Sequence, residues 1–121
     1  MLNELAENLH EIAVNHGWWG EDKKPSFGEV IALCHSELSE ALEEYRANRP
    51  LFWYQRDGAM ISTDADEWDG EKPEGTAVEL IDCIIRVLDY LASENIDVDK
   101  LMNIKATYNA TRPYRHGDKR L

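Results

Sequence analysis

The residues best suited to chemistry are two pairs of acids, Glu37 with Glu40 and Glu79 with Asp82. Each pair is spaced i, i+3, so on a helix the Cβ atoms lie about 5–6 Å apart. That suits two carboxylates gripping one hard cation between them. Like charges so placed cost little on an exposed helix and far more beside an apolar core. A bound divalent cation, or a raised carboxylate pKa, removes the conflict. All-oxygen donors favour Mg²⁺ or Mn²⁺ over zinc. One Glu-x-x-Glu alone is common on solvated helices, and Glu79 also reads as the partner of Thr76 in a capping box. The repetition of the pair is what points to a metal.

Cations suited to phosphate lie near the other end of the chain. Lys105 falls inside an apolar arc between Leu101, Met102 and Tyr108, and Asn109 follows one turn later. A Lys pointing inward needs an anionic partner, either the acidic ridge or a substrate phosphate. Arg112, Arg115, His116, Lys119 and Arg120 cluster in the tail. Arg offers bidentate contacts to phosphate, although a solvated tail is the plainer reading. A metal with phosphate-binding cations is the equipment for hydrolysing a phosphoanhydride. Glu40 or Glu44 is the candidate to orient the attacking water. Trp18 and Trp19 either stack on a nucleobase or pack between helices, and Trp53 and Trp68 are weaker candidates for the same role.

Four helical segments position these groups. The first spans residues 2–16, with Leu2, Leu5, Leu9 and Ile12 as its stripe. The second spans 26–48, opened by Ser26 and Glu29 as a capping box and closed by Pro50. Val30, Leu33, Cys34, Leu38, Ala41, Leu42 and Tyr45 are read as its apolar side. Glu37, Glu40 and Glu44 fall within about 60° of one another beside that side. The third spans 76–93 and is apolar over much of its circumference, which predicts burial in a bundle or at a subunit contact. Arg86 and Asp89 lie near Glu79 and Asp82 on its wheel. The fourth spans 97–110 along Val98, Leu101, Ile104 and Tyr108. The expected fold is all-α, an antiparallel bundle of about four helices that oligomerises through apolar faces.

The whole chain, 1–121, reads as one domain with a long irregular insertion at 50–75 and a basic tail at 111–121. LFWYQR in the insertion suits a short strand or an aromatic plug. Asp64, Asp66 and Asp69-Gly70 imitate a calcium loop, but Trp68 and Gly75 occupy two ligand positions, which excludes it. The net charge is -11, from 24 acids and 13 Lys and Arg. Such a surface repels nucleic-acid polymers and anionic membranes. Cys34 and Cys83 are too few for a disulfide scaffold and read as buried reduced thiols. With no signal-peptide pattern and no apolar run of membrane length, a cytoplasmic protein is expected.

HSELSEALEEYR followed by KPEGTAVELIDCIIRVLDYL resembles the paired motif of MazG-like nucleoside triphosphate pyrophosphohydrolases, within the all-α NTP pyrophosphatase superfamily. The fourth-helix Lys and Asn and the ending RPYRHGDK resemble its small members, so the likeness covers most of residues 26–120. The resemblance implies Mg²⁺ held by Glu37, Glu40, Glu79 and Asp82. It implies cleavage of a nucleoside triphosphate between the α- and β-phosphates, to a monophosphate and pyrophosphate. It also implies a homodimer or homotetramer with sites near subunit contacts. Two features depart from the pattern. Ser36 stands where many members have a further Glu, and the spacer between the motifs is long. The competing readings are a non-enzymatic helical module that binds a nucleotide or a partner, and a plain metal-binding bundle.

Overall fold

The computed structural model describes residues 1–62 and 65–121; Asp64 of the rejected calcium-like pattern lies outside them. The chain folds into helices α1 (Leu2–Asn15), α2 (Phe27–Arg46), α3 (Thr76–Ser93) and α4 (Val98–Thr111). A two-stranded hairpin, β1 (Tyr54–Arg56) and β2 (Ala59–Ile61), and a 3-10 turn at Ala65–Glu67 fill the insertion. A short turn at Arg115–Asp118 ends the chain, with His116 and Gly117 at positive φ. Among the described residues no helix is long and apolar enough to cross a membrane.

Helix α2 starts where the sequence places it. Ser26 accepts from the Glu29 amide and Glu29 returns the bond to the Ser26 amide, a complete capping box. Helix α3 packs against both α1 and α2. Ala6 of α1, Leu88 of α3 and Val98 of α4 form one buried cluster, flanked by Leu2, Leu9, Leu91 and Ile96. The N-termini of α1 and α4 cap each other. Asp99 accepts from the Leu2 and Asn3 amides at 2.8 and 3.2 Å, while Asn3 Oδ1 accepts from the Val98 amide at 2.6 Å. Each side chain thereby satisfies amides that a helix start leaves unpaired.

The insertion is held at both ends. Trp53 and Glu74 exchange backbone hydrogen bonds of 2.8 Å, and the Ala77 amide donates to Leu51 O at 2.9 Å. LFWYQR thus supplies both a strand and a plug, since Trp53 and Tyr54 are buried. Asp57 and Gly58, both at positive φ, make the two-residue turn that an Asp-Gly pair favours. Gly75 sits at φ 120, and a Cβ there would lie 2.3 Å from Leu51 O. The hairpin strap can lie this close to the start of α3 because residue 75 has no side chain.

Two expectations from helical periodicity need correction. The seam of α2 is Val30, Cys34, Glu37, Ala41 and Glu44, an alternation of four- and three-residue steps. Glu37 and Glu44 occupy the seam itself instead of bordering it. Leu38, Leu42 and Tyr45, read as part of the buried side, are 46%, 56% and 71% exposed. Lys105 does not point inward either: every residue from Leu101 to Thr111 is exposed, and α4 meets α1 near its own start. A periodic stripe shows which face a helix would bury. It does not show that a single chain supplies the cover.

Candidate metal centre

The seam between α2 and α3 brings three of the four motif acids together. Glu37, Glu40 and Glu79 each offer a carboxylate oxygen, and these oxygens all lie within 4.8 Å of one another. Glu37 is buried, Glu79 half-buried and Glu40 exposed, so the cluster opens to solvent on the Glu40 side. Asp82 stands one helical step beyond Glu79, half-buried and close enough to Glu37 to feel its charge. The Glu79 carboxylate belongs to this cluster. Gly75 takes the N-cap position of α3 and no side chain caps the helix, which removes the capping-box reading of Glu79.

The electrostatics show a centre short of positive charge. One guanidinium answers the cluster: Arg86 Nε donates to Glu37 Oε1 at 2.8 Å. Burial pushes the Glu37 carboxyl up. The Arg86 bond and the neighbouring Glu40 and Glu79 carboxyls outweigh that push and hold it below its ordinary value. Glu79 has no such cation. Burial first, then the Glu40 and Glu37 carboxylates, lift its pKa from 4.5 to about 7. Asp82 is raised in the same sense by burial and by Glu37. Near neutral pH the Glu79 carboxyl therefore titrates inside the cluster, held up by burial and by its acidic neighbours. All-oxygen donors, converging geometry and a proton ready to be displaced fit Mg²⁺ or Mn²⁺.

Glu44 stands apart from this group. It is buried and bonded to Arg49 Nη1 at 3.0 Å, which gives its charge a partner of its own. The phosphate-binding candidates are also apart. Lys105 Nζ and the Arg112 guanidinium lie over the Tyr108 ring at 5.3 and 5.8 Å, and Arg115 donates to Arg120 O. Asn109 and Lys119 are exposed. Among the described residues, none of these five side chains bonds to the acid cluster.

A cleft of about 600 Å³ opens beside the acids between α1, α2 and α3. Glu37, Asp82 and Arg86 line it together with Trp18 and Trp19, while Glu40 and Glu79 lie outside its lining. Trp18 is 60% exposed. Trp19 is fixed, because its Nε1 donates to Asp89 at 2.9 Å and its ring meets His10 edge-on at 5.3 Å. His10 Nδ1 also bonds Asp89, at 2.7 Å. Spacing puts Arg86 and Asp89 near Glu79 and Asp82 on the α3 wheel but assigns them no partner, and His10 carries no local signal. Their position on the Glu79 face of α3 was a readable signal for Arg86. His10 joins Asp89 only through the packing of α1 on α3.

Comparison with protein-family models, curated proteins and solved structures gave no match.

Proposed function

We propose that the protein is a Mg²⁺-dependent nucleoside triphosphate pyrophosphohydrolase of the MazG-like kind. The observation that carries the reading is the convergence of Glu37, Glu40 and Glu79 on one point, beside a cleft large enough for a nucleotide. Glu37, Glu40, Glu79 and Asp82 would hold the ion. Bound there, Mg²⁺ would neutralise phosphate charge and lower the pKa of a water. Glu40 is the exposed member, which supports its role as the acid that would orient the water attacking the α-phosphorus. Glu44 serves structure through Arg49. Trp18 offers a face to the base, and Trp19, held by Asp89, shapes the wall behind it.

The phosphate-binding candidates belong to the same reading through assembly. Lys105, Asn109, Arg115 and Lys119 are exposed and Arg112 is half-buried on one arm. Leu101, Ile104 and Tyr108 on that arm are exposed, as are Leu80, Ile81 and Ile84 of α3 and Leu38 and Leu42 of α2. Apolar area on this scale marks a protein contact surface. A homodimer or homotetramer would cover it and bring a basic arm toward an acidic body. Sedimentation at micromolar concentration is expected to show a dimer or larger, and a monomer alone would remove this assembly.

The function is tested by incubating the protein with a panel of nucleoside and deoxynucleoside triphosphates and Mg²⁺. The expected products are the monophosphate and pyrophosphate. Orthophosphate as the product would refute the cleavage position, and no turnover of any member would refute the enzyme. Nucleotide binding without turnover is the result the non-enzymatic module predicts.

A further inference from the structure

The two cysteines face each other across the helix pair that builds the acid centre. Thr76 Oγ1 of α3 reaches Ala41 O of α2 at 3.5 Å, which fixes the register of the two antiparallel helices. Seven residues, two turns, further along α3 is Cys83, and seven back along α2 is Cys34. The same faces meet at that level, and burial first, then the neighbouring Cys83, push the Cys34 thiol up. Both thiols are free, Cys34 in the buried seam and Cys83 half-buried. Cys34 is one turn from Glu37, and Cys83 is one turn from Glu79 and next to Asp82. The proposed reaction uses neither thiol, so the pair has no part in it.

We propose that Cys34 and Cys83 form a peroxide-operated switch, in which an α2–α3 disulfide distorts the acid centre and weakens its hold on a divalent cation. Cys83, the more accessible sulfur, attacks one oxygen of hydrogen peroxide as a thiolate. The O–O bond breaks, the sulfur becomes a sulfenic acid, and the departing hydroxide takes up the thiol's proton as water. The Cys34 sulfur then attacks the Cys83 sulfur. The S–S bond forms, the S–O bond breaks, and a second water leaves. The thiols lose two electrons and the peroxide gains them.

The effect on the metal follows from geometry. Two free sulfurs in contact stand about 3.5–4 Å apart, while a disulfide holds them at about 2.05 Å with a fixed dihedral. Closing that gap in a packed seam shifts or turns α2 against α3 at this level. The carboxylates one turn away move with them, and Mg²⁺ tolerates little departure from octahedral geometry. This regulatory half rests on the metal centre proposed above, whereas the bond itself does not.

The test treats the full chain with hydrogen peroxide and follows two readouts. Intact mass is expected to fall by about 2 Da, with Cys34 and Cys83 joined in one peptide. The Mg²⁺ concentration that half-saturates the melting-temperature shift is expected to rise about tenfold or more, and to return with dithiothreitol. Cys83→Ser protein is expected to keep its Mg²⁺ response through the treatment. Disulfides between chains, or oxidation to sulfinic acid alone, would overturn the pair. A crosslinked protein with an unchanged Mg²⁺ response would overturn the switch. A reduced protein with no Mg²⁺ response at all would overturn the metal reading and the regulatory half, and the crosslink result would stand separately.

Discussion

Replacing Glu79 by Gln is expected to abolish the response to Mg²⁺ without weakening the metal-free fold. Glu79 is the acid whose charge the cluster tolerates least, since burial and the Glu40 and Glu37 carboxylates lift its pKa to about 7. Gln keeps the shape and can still donate a hydrogen bond to a neighbouring carboxylate, as protonated Glu79 does. At pH 8, where Glu79 is ionised, the variant removes a repulsion, so its metal-free stability should equal or exceed that of the parent. On the proposed function the cation loses a charged ligand, and triphosphate hydrolysis should fall about 100-fold or more. Glu44→Gln is the contrast. It disturbs the Arg49 pair, at a cost of about 1 kcal/mol for a half-exposed partner, and should leave the Mg²⁺ response intact. Thermal melting with and without Mg²⁺, together with pyrophosphate release, reads both variants. An undiminished Mg²⁺ shift in Glu79→Gln would remove Glu79 from the centre.

The metal-free protein is expected to lose stability as pH rises from about 4.5 to about 7. The folded state holds the Glu79 proton with a pKa of about 7, and an unfolded chain releases it near 4.5. Between these values the folded state binds more protons, so unfolding free energy falls as pH climbs. The full shift corresponds to about 3 kcal/mol, reduced by solvent screening at this half-buried group, and the loss should level off above pH 7. Asp82, also raised, acts in the same sense. Glu37 acts oppositely: its depressed pKa gives stability that is present above the ordinary carboxylate range and lost as pH falls below it. Saturating Mg²⁺ should remove the decline, because the cation replaces the proton. Below pH 7 its binding should release about one proton and weaken about tenfold per pH unit. Urea unfolding at pH 5 and pH 8, with and without Mg²⁺, measures this, and Glu79→Gln should flatten the metal-free profile. Metal-free stability that rises from pH 5 to pH 8 would contradict the assignment.

Helix positions were legible along the sequence because their signals are local. The capping box at Ser26 and Glu29 fixes where α2 begins, and the segment read at 76–93 matches α3 residue for residue. The acid pairs were legible because three-residue spacing on a helix has one geometric meaning. The insertion was half legible: Asp57-Gly58 carries its turn chemistry locally, but its attachment depends on Gly75 meeting Leu51 across the fold.

What the sequence by itself determined is the set of helices and the shared face of each acid pair. Only the tertiary structure decided that Glu37 lies in the α2 seam and that Arg86 takes its charge. The same packing leaves Glu79 with the proton and gives Glu44 to Arg49. It also decided that the α4 arm, with Lys105 and Arg112, stands clear of its own chain's core. The physical reason is that periodicity and capping act within about one helical turn. Burial and charge pairing depend on which neighbouring helix arrives, at what register, and whether one arrives at all.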